Sequence, residues 1–384
     1  MLVDAPLHLL VALLLLLITR AAHSGRQDIS VVEMNGFLEE FLTRSNSVSV
    51  REWESNLPTR EEKEDMRKLL SYVYRLNTFE KLNGNLLKNY AYLEKYLNIT
   101  VLQGRYCVIH ELVHEKMQQF PRMWGYTVIA SKSFAIRPIH HSATHFDSDG
   151  PVCTQAAALF ENTGSRTLAI AGASRFAVIG DQRSECQHNF QLADAAHANR
   201  TMFHVSLKMF ILLFHWVSTV LKDLAEIEAQ AEGKDNGYFF IQWHGMAETS
   251  CMASDVFLSA GIHNCSIYEA DIPVRRLLTS LSRLAPGMKV STPREDADCR
   301  LIAGTNVFGR YINGVPRENV CNTPAHEKDV MGKFAHVEQK AASRSSISLW
   351  TAVIKDAFPV SQASPRHSSV FLISCLYFLF TAFQ

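Results

Sequence analysis

The sequence predicts an α/β fold, with a mostly parallel mixed sheet flanked by helices behind an N-terminal helical segment. Three observations lead there. From about residue 125, short apolar runs alternate with helix-like stretches, the order that parallel sheets require. Before that point, apolar residues recur at three- and four-residue spacing, as in Met66, Leu69, Leu70, Val73 and Tyr74, which marks amphipathic helix. The stretch from His140 to Asp149 then crowds imidazoles and carboxylates directly behind an apolar run, at the sheet edge where α/β enzymes build their sites.

Taken in order, Val128 to Ile139 reads as a strand, and Thr154 to Glu161 as a helix ending near Gly164. Arg166 to Gly172 is a buried-strand run closed by glycine, and Asp194 to Glu232 is a long helical stretch. The apolar core of that stretch, Met209 to Val217, is too short to span a bilayer and continues into Lys222, Asp223 and Glu226. It reads as a crossover helix packed under the sheet. Tyr238 to Trp243 and Val256 to Ser259 follow as strands, then a helix from Val274 to Leu284, a strand over Lys333 to Val337 and a helix from Ile347 to Phe358. The expected organisation is a signal peptide over 1–23, a helical segment over 24–124, the α/β domain over 125–358 and an anchoring signal over 359–384.

Lysine plus arginine and aspartate plus glutamate both number 38 among 384 residues, so bulk charge favours no nucleic acid. The first segment carries the short apolar core Leu9 to Ile18 followed by small residues, as in a cleaved secretion signal. The last is apolar from Val370 to Phe380 behind a short polar spacer, the pattern of a GPI-attachment signal, with a tail-anchoring helix as the rival. Membrane attachment at the cell surface is the expectation. Sequons at Asn98, Asn199 and Asn264 agree with passage through a secretory lumen. Outside the tail there are seven cysteines, so an oxidising compartment leaves at least one unpaired. Local pairing would join Cys251 to Cys265 and Cys299 to Cys321.

Two places carry metal-ligand chemistry. His110-Glu111-Leu112-Val113-His114 is a formal H-E-x-x-H, which on a helix would put both histidines on one face with Glu111 as base, as in a zincin protease. It lacks a nearby third ligand. The second is the His140 to Asp149 stretch, where His140, His141, His145, Asp147 and Asp149 all offer nitrogen or oxygen to Zn²⁺. Later segments share its layout. His244 ends one strand before Gly245, and Glu338 ends another. Asn306 and Arg310 are framed by Gly304 and Gly314, and Arg175 lies just past the Ala169 to Gly172 run. Asp194 and His197 stand at i and i+3, placed to support a ligand or to cap a helix. Two histidines and a carboxylate on zinc, a free glutamate and an arginine for a substrate carboxylate make a working metallohydrolase.

The stretches Ser142 to His145, Gln155 to Phe160, Thr167 to Gly172, Asp194 to His197, Gly304 to Gly314 and His336 to Gln339 resemble a group of secreted proteins. That group is similar to the N-formylglutamate amidohydrolases and poly-γ-glutamate hydrolases, which are zinc-carboxypeptidase-like. Over residues 125 to 355 the resemblance implies zinc held by His145, Asp149 and His244, with Glu338 as the base. The residues themselves keep His140, His141 and Asp147 as alternates for the metal, and offer Arg175, His197, Asn306 and Arg310 as candidate contacts to a small acidic or peptide-like substrate. Carboxypeptidases carry H-x-x-E, whereas His145 to Asp149 is one residue longer. That departure motivates an alternative, a catalytically inactive surface binding protein on the same fold.

Overall fold

Among the described residues, nine strands form one mixed sheet in the order β1-β2-β3-β5-β4-β6-β9-β7-β8. They are β1 Leu97–Leu102, β2 Tyr106–Glu111, β3 Tyr126–Ala130, β4 Ile139–Ala143, β5 Thr167–Ile170, β6 Phe239–Gly245, β7 Val256–Ser259, β8 Val290–Ser291 and β9 Phe334–Gln339. The structure, a computed structural model, describes residues 28–114, 116–209, 238–263 and 266–360. The expected signal and tail segments, most of the stretch Asp194 to Glu232, Asn264 and Cys265 lie outside them. Among the described residues no helix is long and apolar enough to cross a membrane.

The parallel part is the centre, where β5, β4, β6 and β9 run side by side. On one flank β3, β2 and β1 continue antiparallel; on the other β7 lies antiparallel to β9. Alternation along each strand sorts the side chains to two faces. Ile139, Ala143, Phe239, Ile241, Trp243, Ala335 and Val337 pack on one face with residues of helices Val152–Thr163, Pro273–Leu284 and Ile347–Ala357. Trp243 meets Trp350 there edge-on at 5.1 Å. Phe240, Phe334 and Ala169 join residues of helix Arg60–Arg75 and Phe308 on the other face. By the same parity, Gln242, His244, His336 and Glu338 belong to that second face.

The structure changes several expectations. Residues 97–111 are a β-hairpin within the sheet, although they fall in the segment expected to be helical. β-branched Ile99, Thr100, Val101, Val108 and Ile109 suit a pleated ladder. Gln103 and Gly104, at φ 54° and 65°, close the tight turn. The stretch Val128 to Ile139 is two strands, because the chain turns at Ser131 and Pro138 precedes β4. Arg137 pins that turn, donating to the carbonyls of Phe358 (2.9 Å) and Thr163 (2.6 Å). Asp194 sits in a turn rather than opening a long helix; helical structure starts at residue 202.

The disulfides differ as well. Cys186 joins Cys321 and Cys251 joins Cys299, across sequence separations of 135 and 48. Pairing followed which loops meet in space, not which cysteines are near in sequence. Cys107 and Cys153 are buried free thiols.

Candidate metal centre

The carboxyl ends of β4, β6 and β9 lie next to one another, and the chemistry collects there. After β4 the chain coils through one turn, with the Asp149 amide donating to the His145 carbonyl at 3.2 Å. The four-residue spacing of His145 and Asp149 therefore closes on itself. His145 Nδ1 lies 3.1 Å from Asp149 Oδ2. His244, near the end of β6, brings its own Nδ1 to 2.9 Å from the same oxygen. Gly245 permits this approach, since a Cβ there would lie 2.1 Å from the Asp149 carbonyl oxygen.

On β9, Glu338 pairs in register with His244, and His336 with Gln242. His336 Nε2 stands 3.7 Å from Glu338 Oε1, while its Nδ1 has no hydrogen-bond partner though buried. Asp194 reaches in from the turn before residue 202, and its Oδ1 lies 2.9 Å from His145 Nε2. The Ala196 amide donates to the same oxygen and holds it in place. Arg175, just past β5, pairs with Asp149 and donates to Ser148 Oγ at 2.9 Å. These groups border a cavity of about 490 Å³, whose other walls include Phe176, Phe190, Met246 and Leu301, with Arg300 at its exposed side.

Burial and charge divide the ionisable groups. Burial and Arg175 oppose a charge on His145, but Asp149 and Asp194 outweigh them and raise it to about 9. Burial alone would raise Asp149, yet His145 and His244 hold it well below the usual carboxylate range. Asp194 is likewise depressed, chiefly by His145 against its own burial. Glu338 goes the other way, pushed up to about 8 by burial and then by the Asp149 charge. Burial lowers His244 despite Asp149, and burial with the His244 charge lowers His336 far more. One carboxylate is thus kept anionic and another kept able to hold a proton within one cavity, the division that acid-base sites use.

The donor set fits a cation such as zinc. His145 Nε2 faces Asp194 and His244 Nε2 faces the Gln242 amide oxygen at 3.1 Å, so in the neutral rings both protons belong on Nε2. The His244 Nδ1 lone pair then faces the anionic oxygen with no hydrogen between them, while the His145 Nδ1 lone pair is shared with an N–H of Arg175 Nη2 at 2.5 Å. Donors about 2.0–2.2 Å from one tetrahedral ion stand about 3.3–3.6 Å from each other, close to the spacing found here. His145, Asp149 and His244 form one set of convergent ligand atoms; His244, His336 and Glu338 form another that shares His244.

The remaining expected residues are placed as follows. His197 lines the cavity, stacked on Phe190 and bonded through Nδ1 to Gln187 at 2.7 Å. Asn306 borders it and caps helix Val307–Ile312. Arg310 is not at the site; it donates to the carbonyls of Gly304, Val320 and Cys321 and holds that loop together. His140 and His141 belong to β4 itself, not to a loop behind it. His140 bonds Thr167 at 2.7 Å and stacks on Phe240, and His141 accepts from Trp243 Nε1 at 2.9 Å. Asp147 accepts from Ser45 Oγ at 2.9 Å, and among the described residues no convergent ligand set includes it. His110 and Glu111 lie on β2, not on a helix, and Glu111 accepts the Arg122 and Trp124 amides. The face that a zincin needs is therefore absent. His336 and Gln242 were missed, although the alternation Phe334, His336, Glu338 on a strand puts His336 on the face of Glu338.

The described fold and site define an α/β protein with a candidate metal centre at the carboxyl edge of its parallel strands. No known protein family matches the chain, and no curated protein matches it. Among solved structures, the chain is similar to N-formylglutamate amidohydrolase from Ralstonia eutropha JMP134. That likeness has 13% identity and a TM-score of 0.28, covering 58% of this chain and 92% of the other. A gene product of Agrobacterium tumefaciens is similar at 10% identity and a TM-score of 0.27, covering 57% of this chain and 85% of that one. Likeness of that extent assigns no activity.

Proposed function

We propose that the chain is a zinc-dependent hydrolase of amide bonds, acting on a small carboxylate-bearing or peptide-like substrate. One observation carries the reading: His145, Asp149 and His244 converge through their ligand atoms, with Glu338 beside them, on three neighbouring strand ends lining one cavity. A zinc ion bound there would supply Lewis acidity, able to polarise a carbonyl and acidify water. His145 and His244 present Nδ1, Asp149 contributes the anionic oxygen, and Asp194 holds the His145 ring in orientation. Glu338 accepts a proton from the attacking water and returns it to the leaving amine, a role suited to a carboxyl whose affinity for protons is raised. Arg175 pairs with Asp149 and donates to His145 Nδ1, so it steadies two ligand side chains, and its exposed side is available to a substrate anion.

The two disulfides support folding in an oxidising compartment, in line with a secreted or surface-anchored protein. Glycosylation at Asn98 and Asn199, both half-buried, and a GPI anchor belong to the same proposal.

Glu338→Gln tests the reading. Zinc content measured by atomic emission should stay at the wild-type level while hydrolysis of N-acyl amino acids and short acidic peptides is lost. Undiminished turnover in that variant removes the mechanism. A wild-type protein that binds zinc and cleaves none of these substrates favours the inactive binding protein instead.

A further inference from the structure

The structure assigns a positioning role to Gln242 and Asn306: together they fix which ring nitrogen of His244 faces the candidate metal position. The inference rests on the proposed metal site and deepens it. Its starting point is a backbone amide, which can only donate. The Gly309 amide donates to Asn306 Oδ1 at 2.8 Å, as the N-cap of helix Val307–Ile312 requires. That settles which end of the Asn306 amide is oxygen, so its Nδ2 is the atom directed at Gln242.

The next step follows by elimination. Asn306 Nδ2 lies 2.5 Å from Gln242, and a donor there demands an acceptor, so Gln242 presents Oε1. The same Oε1 lies 3.1 Å from His244 Nε2. An oxygen cannot donate, so His244 Nε2 carries the proton and Nδ1 is left with the lone pair. Thr144 Oγ1, at 3.4 Å from the same nitrogen, can accept as well and does not oppose this. All three residues are buried, Gln242 and Asn306 with 0% and 2% of their surface exposed. Water therefore does not relieve a wrong orientation. Turning the Gln242 amide over would set its NH₂ against that of Asn306. In the observed orientation Gln242 Nε2 has no partner, so the acceptor end alone holds the side chain.

A helix cap thus reaches the metal site through two amides. Gln242 also occupies the position on β6 two residues before His244, where strand alternation puts both side chains on one face. His145 receives the same service from the Asp194 carboxylate, whereas His244 receives it from a neutral amide that has to be oriented by another residue.

Three variants test the assignment, read by zinc affinity in competition with a chromophoric chelator. Long-range ¹H–¹⁵N spectra of histidine-labelled, zinc-loaded protein locate the His244 proton. Gln242→Leu removes the acceptor, and zinc affinity should fall about 10- to 100-fold, the usual effect of losing a ligand's hydrogen-bond partner. Gln242→Glu keeps an acceptor and should bind zinc in the wild-type range. Asn306→Asp keeps the oxygen that caps the helix but replaces the donor with a second acceptor. Gln242 should then turn its NH₂ toward His244, move the proton to Nδ1 and weaken zinc binding without unfolding the helix. Wild-type affinity in both Gln242→Leu and Asn306→Asp overturns the inference, as does a His244 proton found on Nδ1 in the zinc-loaded wild type. If Gln242→Leu does not fold, Asn306→Asp decides alone. Wild-type protein that takes up no zinc overturns the site reading itself, an outcome distinct from unaffected variants.

Discussion

One oxygen of Asp149 faces two imidazoles at once: Oδ2 lies 3.1 Å from His145 Nδ1 and 2.9 Å from His244 Nδ1. The Asp149 and Asp194 charges push His145 up to about 9, so without an ion this ring holds a second proton. A divalent cation on its Nδ1 replaces that proton. Its binding should therefore release protons and stabilise the fold.

The first prediction concerns Asp149→Asn. A neutral amide offers an oxygen but no charge to balance a dication, so zinc affinity should fall by at least about 10-fold. Wild-type protein at a zinc concentration 100 times its Kd should gain about 2.7 kcal/mol of stability, and the variant much less at the same concentration. Thermal unfolding with and without zinc measures both. An equal zinc-induced rise in Tm for the two proteins would place the ion elsewhere.

A second prediction separates the two sets of convergent ligands. In the first set two histidines meet one carboxylate held anionic, whereas the second, with His336 Nε2 and Glu338 Oε1 3.7 Å apart, would take up the glutamate that the proposed mechanism needs as a free base. His145→Gln should abolish stoichiometric zinc, while His336→Gln should retain it. The reverse result, read from zinc per chain after dialysis, would move the ion to His336 and Glu338 and leave no free base.

Much of this site was legible because it stands at strand ends. His244 before Gly245 and Glu338 before Gln339 mark places where a buried strand reaches the sheet edge, and side-chain chemistry there has few structural uses. Arg310 looked equally functional, since a glycine-framed arginine resembles an anion clamp; three backbone carbonyls claim it instead. His110 and His114 matched a helical motif, but strand pairing of Ile109 with Thr127 overrode the local pattern. His336 and Gln242 carry no such strand-end signal. Both are interior strand positions, identifiable only by following the alternation inward from Glu338 and His244. The disulfides depended on loop positions, which no spacing encodes.

A third prediction follows from histidines away from the site. Burial lowers His110 to about 4, and His141 and His204 to about 3. Unfolded, each takes up a proton near pH 6.5, whereas the folded protein takes it up only at the lower value. Their stability contribution is therefore complete above about pH 6.5 and is lost as pH falls toward the folded values. Each adds a slope of about 1.4 kcal/mol per pH unit in that window. Urea melts at pH 7, 6 and 5 should show steep loss, and His141→Gln should flatten the slope by about one histidine's share. An unchanged slope in that variant would show that His141 is not held neutral.

The last prediction concerns the cavity wall. Cys251 follows Ser250, and Cys299 precedes Arg300 and Leu301, so the Cys251–Cys299 bond ties two lining segments together. Closing a separation of 48 residues stabilises the folded state by about 4 kcal/mol in the chain-entropy model. The Cys251→Ser/Cys299→Ser variant should lose stability of that order while keeping its zinc, because His145, Asp149 and His244 are held by β4 and β6. Freed from Cys251, the segment carrying Arg300 and Leu301 is no longer tied to the wall at Ser250, so KM for an anionic substrate should rise more than kcat falls. Equal loss of zinc and of stability in that variant would instead make the bond part of the metal site's support.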